Sequence, residues 1–317
     1  MKKSPWYDQI GSQRDWVWRG WQVRYTYLRA DKEATLEATQ PLLLLHGFAS
    51  ALTQWRANLL PLSQQHTVYA LDFLGFGASE KAAIAYKTEL WVEQTYDFWR
   101  TFIRQPVVLI GHSLGGLVAL ATAVAHPEMI KGLVLITLPA ARQELLSGKM
   151  LAIAGACERL FANPILLRPV FWLLRQPRVL RSILRLAYAN HNHLTEELVL
   201  SFLEPALDQG AAEVFFRLAK ARTQTDYSPE TQQLLPQLQK PTLLLWGQQD
   251  RIIPPRWGKQ FFSLNPNLKF VELPNAGHCL YHECADRVNQ EILTWIDTHC
   301  NTSSLVCSQQ YPDPPTP

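Results

Sequence analysis

Three side chains of this sequence have the types and the order that turn a serine into a nucleophile. Ser113 sits at the centre of Gly111-His112-Ser113-Leu114-Gly115-Gly116, a G-x-S-x-G pattern. Asp250 follows Trp246-Gly247-Gln248-Gln249, and His278 closes Leu273-Pro274-Asn275-Ala276-Gly277-His278. A serine hydroxyl is almost wholly protonated near neutral pH, so it attacks a carbonyl only when a base takes its proton. An imidazole is such a base, a carboxylate orients it, and backbone N–H groups hold the oxyanion that forms. The loop His46-Gly47-Phe48 lies upstream, where such N–H groups belong; those of Phe48 and Leu114 are the candidates. The chemistry this set can do is acyl transfer to water.

Each of these residues must stand at the end of a strand, and the sequence supplies the strands. Val107 to Ile110 is an apolar run leading into Ser113, and the small-residue pattern Leu117 to His126 leads out as a helix ended by Pro127. That is strand, sharp turn, helix, the context that makes G-x-S-x-G specific. Pro41 to Leu45 is a strand buried on both faces that ends at His46; Thr67 to Leu71 is another, ending at Asp72 and the turn Gly75-Phe76-Gly77. Leu133 to Thr137, Pro241 to Trp246 and Leu268 to Leu273 complete the parallel set. Residues 15–29 alternate bulky and polar types around Gly20 and read as an antiparallel hairpin at a sheet edge. Helices are expected over 54–64, 88–104 and 283–297, whereas 140–225 holds several helical patterns and no convincing strand. The expectation is an α/β fold with a mostly parallel eight-stranded sheet flanked by helices and an inserted helical cap.

Other residues compete for the same roles. His282 lies four residues beyond His278 but lacks the preceding glycine. Asp226 and Asp208 are alternative carboxylates, both within the helical region. The strand ending Ile136-Thr137-Leu138-Pro139 carries no acid, which removes the main rival position for the orienting carboxylate. His112 reads as a structural neighbour, His46 as a hydrogen-bonding partner of the oxyanion loop, Asp72 as a stabiliser of its own turn and Cys279 as packing.

Taken together, His46-Gly47-Phe48, Leu71-Asp72-Phe73-Leu74-Gly75-Phe76-Gly77-Ala78-Ser79, the Ser113 elbow, Trp246-Gly247 with Asp250, and Gly277-His278 resemble the α/β-hydrolase superfamily over roughly residues 15–298. The resemblance implies a Ser113/His278/Asp250 triad, a core of residues 1–139 and 226–298, and a cap over 140–225; the last stretch, 299–317, with Pro312, Pro314, Pro315 and Pro317, reads by composition as a disordered tail. The resemblance implies no cofactor and no metal. A serine rather than an aspartate at the elbow argues against the branches with a carboxylate nucleophile. Leu71 to Lys81 and Glu89-Leu90-Trp91-Val92-Glu93-Gln94 resemble cyanobacterial and plastid members, among which are enzymes acting on chlorophyll-type phytyl esters. Capped relatives that cleave carbon–carbon bonds of diketones use the same triad, and some members keep the fold and only bind ligands.

The cap shapes the choice of substrate. Between residues 149 and 190 seven basic residues stand against one acid, Glu158, although the whole chain carries a net charge of only +3. They are interleaved with aromatic and aliphatic side chains. An ordinary cap would turn the apolar residues to the substrate and the arginines to water; a surface resting on anionic lipid has the same composition. Both readings favour a small hydrophobic ester, with Phe161, Phe171, Trp172, Phe215 and Phe216 as candidate contacts. Nucleic acid is not expected from so small a charge, and neither a dinucleotide fingerprint nor a P-loop is present. Five cysteines without C-x-x-C or zinc spacing, and no secretory or membrane-spanning run, point to reduced thiols in a cytoplasmic protein, peripheral on a membrane if the cap touches one.

Overall fold

The computed structural model describes residues 9–30, 40–140, 164–224 and 226–300. Eight strands form one sheet in the order β1-β2-β4-β3-β5-β6-β7-β8. They are β1 (Gln13–Trp18), β2 (Trp21–Leu28), β3 (Leu42–Leu45), β4 (Val68–Leu71), β5 (Val107–His112), β6 (Ile130–Ile136), β7 (Thr242–Gly247) and β8 (Leu268–Leu273). β1 and β2 form an antiparallel hairpin, and β2 joins β4 antiparallel. Every other pairing is parallel.

The continuous apolar runs of the central strands follow from burial on both faces. Side chains alternate between the faces with a period of two. Leu43, Leu45, Leu109, Leu133, Leu135, Leu244 and Trp246 belong to one core. Leu42, Leu44, Val108, Ile110, Val134, Ile136, Leu243 and Leu245 belong to the other. The first core is covered by α1 (Thr88–Phe102) and α2 (Leu114–Ala125), through Trp91, Phe98, Val118 and Leu120. The second is covered chiefly by Trp55, Leu59, Val288, Ile292 and Trp295.

The cap helices described between β6 and β7 are α3 (Pro164–Leu174), α4 (Pro177–Ala187), α5 (Glu196–Leu207) and α6 (Ala211–Ala221). After them come α7 (Arg256–Phe262) and the closing helix α8 (Ala285–His299). One ion pair ties the cap to a loop of the core, Lys81 to Asp208 at 3.0 Å, and another, Lys87 to Asp226, lies where the chain re-enters the core.

The helix expected over 54–64 is instead a 3-10 segment, Leu52–Ala57, followed by a short α-helical turn, Leu59–Ser63. Pro61 explains the break. It has no N–H to donate to Ala57, so one continuous ladder cannot pass it, but a proline is accommodated in a new first turn. β6 begins at Ile130, three residues before the apolar run that announced it, because the polar Lys131 and the small Gly132 hid its start. Of the tail expected from 299, His299 closes the last helix and Cys300 is buried; the rest, from 301 onward, lies outside the described residues, as do residues 141–163 of the expected cap.

Candidate active site

The chain leaves β3 to one side of the sheet, toward β4, and returns to place β5 on the other. Between β3 and β5 the winding reverses, and in open parallel sheets the carboxyl ends at such a switch point form a crevice. His46-Gly47-Phe48 leaves β3 there, and Ser113 leaves β5.

Ser113 has φ 51° and ψ −116°, a conformation that a side chain rarely adopts. Its N–H donates to the Ile136 carbonyl at 2.9 Å, which fixes the turn to β6. The flanking glycines are required by contact: a Cβ on Gly111 would lie 2.2 Å from the Gly115 carbonyl oxygen, and one on Gly115 would lie 2.2 Å from that of Leu45. The turn therefore presses α2 onto β3 and β5, with the serine at the tip. The Ser113 hydroxyl makes no hydrogen bond within the described residues. Catalytic hydrogen bonds are often long before substrate binds.

Asp250 and His278 are in direct contact. The imidazole Nδ1–H donates to Asp250 Oδ2 at 2.9 Å, which leaves Nε2 as the basic nitrogen. Asp250 Oδ1 accepts the N–H groups of Ile252 and Ile253, both at 2.8 Å, so the carboxylate is fixed before it meets the imidazole. Both residues are buried. Their loops are laced together, with Gln248 N–H donating to the Leu273 carbonyl and Gln249 N–H to that of Ala276. His112 connects this pair to the elbow: its Nε2–H donates to the His278 carbonyl at 3.1 Å, and the two rings meet edge-on at 4.8 Å. Burial holds the His112 imidazole neutral, well below the usual histidine range.

The loop His46-Gly47-Phe48, expected to hold an oxyanion, is built by residues that reach it from elsewhere. His46 Nδ1–H donates to the Gly47 carbonyl at 2.7 Å, while Nε2 accepts the Phe73 N–H at 3.0 Å. Burial pushes this imidazole down to about 4, so it stays neutral in that tautomer. Gln54 Oε1 accepts the Gly47 N–H at 3.0 Å. The Phe48 N–H is left without a partner in the described residues, and the Leu114 N–H heads α2, where a helix start leaves its donors unpaired. Asp72, buried, accepts the N–H groups of Leu52 and Ala78 at 2.6 and 2.7 Å and so joins the two loops behind the site. Burial nevertheless pushes its carboxyl up to about 6.

The competing residues lie elsewhere. His282 packs edge-on against Tyr188 and His193, its Nδ1 buried and unpaired, and burial pushes it down to about 4. Asp208 and Asp226 pair with lysines at the cap boundary. Cys279 is buried and its thiol is pushed up to about 12. Of the aromatic candidates, Phe171 packs on Phe215 at 5.1 Å and on Phe216 at 6.4 Å, between α3 and α6. Trp172 is 63% exposed on the outside of the cap, away from that cluster, and Phe161 lies outside the described residues. No group of three or more metal-ligating side chains gathers among the described residues.

Two positioning residues escape a reading of the sequence. Gln54 is a polar residue among the buried Leu52, Trp55 and Leu59, a signal that can be seen but not assigned. Glu283 accepts the Gly277 N–H at 2.7 Å and the Asn190 N–H at 2.8 Å, tying the His278 loop to the cap; no local pattern announces it.

A parallel sheet with a serine elbow at its switch point and helices inserted after β6 defines the architecture of the α/β hydrolases. The chain belongs to the alpha/beta hydrolase fold family, whose sequence profile matches residues 40–284. It is 26% identical over 268 residues to the uncharacterized hydrolase YugF of Bacillus subtilis (strain 168), covering 81% of this chain and 90% of that protein. It is 26% identical over 309 residues to the chloroplastic pheophytinase of Arabidopsis thaliana, covering 80% of this chain but 60% of that one. Among solved structures, a membrane phospholipase A described as a bacterial virulence factor superposes with a TM-score of 0.74 at 25% identity, over 93% of this chain and 88% of the other.

Proposed function

We propose that this chain is a serine hydrolase that cleaves a carboxylic ester of a hydrophobic substrate through an acyl-enzyme. The observation that carries this reading is the 2.9 Å hydrogen bond between His278 and the buried Asp250, joined through His112 to the strained elbow at Ser113. His278 Nε2 takes the Ser113 proton as the oxygen attacks the ester carbonyl. Asp250 holds the imidazole in the required tautomer and stabilises its charged form. The N–H groups of Phe48 and Leu114 receive the oxyanion, and His278 then protonates the leaving alcohol. A water activated by the same imidazole releases the acid. No metal or organic cofactor takes part.

Residues 140–225 act as the cap over a core formed by 1–139 and 226–298, and the apolar side chains of the cap favour a lipophilic acyl or alcohol group. Phe171, Phe215 and Phe216 supply its inner aromatic cluster. The similarity to a protein named a pheophytinase and to a structure described as a membrane phospholipase A supports an ester such as a phytyl or fatty acyl ester. The basic, apolar cap also supports peripheral contact of an otherwise cytoplasmic protein with a lipid surface.

The test is a panel of short-chain, long-chain and phytyl esters together with a diketone, run on the native chain and on Ser113→Ala. Ester turnover should fall by roughly 10⁴- to 10⁶-fold in the variant. A fluorophosphonate should label the native protein and not the variant. Turnover of the diketone alone would assign carbon–carbon hydrolysis instead, and absence of labelling would make the chain a ligand-binding member of its family.

A further inference from the structure

The outer cap helices carry more apolar surface than the fold covers. On α4, Leu184 and Ala187 face the core. The same helix leaves Ile183 38% and Leu186 54% exposed, on the neighbouring part of its apolar arc. On α3, which packs beside α4, Val170, Trp172 and Leu173 are exposed as well. Large apolar side chains exposed side by side mark a surface that meets something.

The charge of this segment has one sign. From residue 164 to 190 there are five arginines and no acid. Arg168, Arg178 and Arg185 are exposed and form no ion pair within the described residues. Elsewhere on the surface Arg19, Arg24, Arg217 and Arg287 each face a carboxylate. Arg168 lies one turn from Trp172, and Arg178 and Arg185 share the side of α4 that flanks Leu186. Two further arginines are engaged within the cap: Arg181 donates to the Leu194 carbonyl, and Arg175 lies over the Phe171 ring at 5.5 Å.

We propose that this face of α3 and α4 docks on an anionic lipid bilayer, with Trp172, Leu173, Ile183 and Leu186 entering the headgroup–acyl boundary and Arg168, Arg178 and Arg185 meeting the headgroups. An amphipathic helix rich in arginine, with aromatic and aliphatic residues beside it, binds lipid in this way. A second copy of the chain fits less well, because a two-fold contact through this face would set arginines against arginines with no acid between them. No described helix is long and apolar enough to cross a membrane, so the contact is peripheral. Docking holds the chain at the surface into which a lipophilic ester partitions. That use rests on the proposed esterase reading, whereas the docking itself does not.

The experiment sediments the Ser113→Ala chain with vesicles of phosphatidylcholine containing phosphatidylglycerol, at low and high salt, and with phosphatidylcholine alone. Binding is expected to anionic vesicles at low salt and to weaken as salt screens the arginines. R168Q/R178Q/R185Q should lose roughly a hundredfold in partitioning, the contribution of three interfacial arginines. W172S/L186S should lose at least tenfold with its charge unchanged. The triple variant in the native Ser113 background should keep its thermal midpoint and its turnover of a water-soluble ester. No binding to anionic vesicles, or equal binding by the triple variant, overturns the proposal. So does a native dimer in sedimentation velocity that W172S/L186S dissolves, since a second copy would then be the occupant. Vesicle binding without hydrolysis of any ester would remove the esterase reading and leave the docking intact.

Discussion

The backbone of Ser113, at φ 51° and ψ −116°, occupies a region that costs a non-glycine residue about 1–3 kcal/mol. The fold holds the strain because Gly111 and Gly115 admit the crossing backbones and Ile136 accepts the Ser113 N–H. Two substitutions separate strain from chemistry. Ser113→Gly and Ser113→Ala both lack the hydroxyl, but only glycine relaxes at this φ. Denaturant unfolding should therefore find Ser113→Gly more stable than Ser113→Ala by about 1 kcal/mol, with neither turning over ester. Equal stabilities would show that the elbow is not strained. Asp250→Asn tests the partner of His278. An asparagine can still accept the Ile252 and Ile253 N–H groups through its oxygen, so the thermal midpoint should move little. Its amide would then donate toward His278 Nδ1 and force the other tautomer, lowering kcat by roughly 10⁴-fold. An unchanged kcat would mean that another carboxylate orients the imidazole.

Gln54, in the 3-10 segment behind the His46-Gly47-Phe48 loop, shows what an element contributes by holding a loop in place. Gln54→Leu leaves the buried Gly47 N–H without an acceptor, at a cost of about 1–3 kcal/mol in stability. The neighbouring Phe48 N–H is proposed to meet charge that exists only in the transition state. Steady-state kinetics should thus show kcat falling while KM stays near its native value; a raised KM with native kcat would make Gln54 a substrate contact instead. The sequence displayed the strands well, because a strand buried on both faces is a continuous apolar run, and the elbow because its glycines have no substitute. It did not display Gln54 or Glu283 as positioning residues. Their partners are loop N–H groups that only the folded chain brings near, Asn190 being 93 residues from Glu283. Nor did it tell the inside of the cap from the outside. Phe171 and Trp172 are adjacent in sequence, yet one is buried against Phe215 and the other is exposed, since apolar spacing cannot say which arc of a lid helix meets the core.

Across the whole molecule, buried imidazoles set the response to acid. Burial pushes His46 and His282 down to about 4, holds His112 well below its ordinary value and lowers His66. Each would take up a proton near pH 6.5 once unfolded. Between about pH 6.5 and 4 the unfolded chain therefore binds more protons at these sites. Their stabilising contribution is complete above pH 6.5 and is lost as pH falls through 4. Asp72 acts in the opposite sense. Its carboxyl is pushed up to about 6, so the folded chain gains stability from it as pH falls from 6 toward 3.8. One carboxylate offsets about one imidazole, and several imidazoles remain, so the thermal midpoint should fall steadily from pH 6.5 to 4.5. His282→Gln isolates one of them, because His282 makes no contact with the Asp250–His278 pair. The unfolding free energy of this variant, measured by denaturant at pH 5.0, 5.5 and 6.0, should depend less steeply on pH, by up to about 1.4 kcal/mol per pH unit, the weight of one proton. A slope equal to that of the native chain would show that His282 takes up its proton in the folded state as readily as in the unfolded one, and that the acid sensitivity comes from His46, His66 and His112 alone.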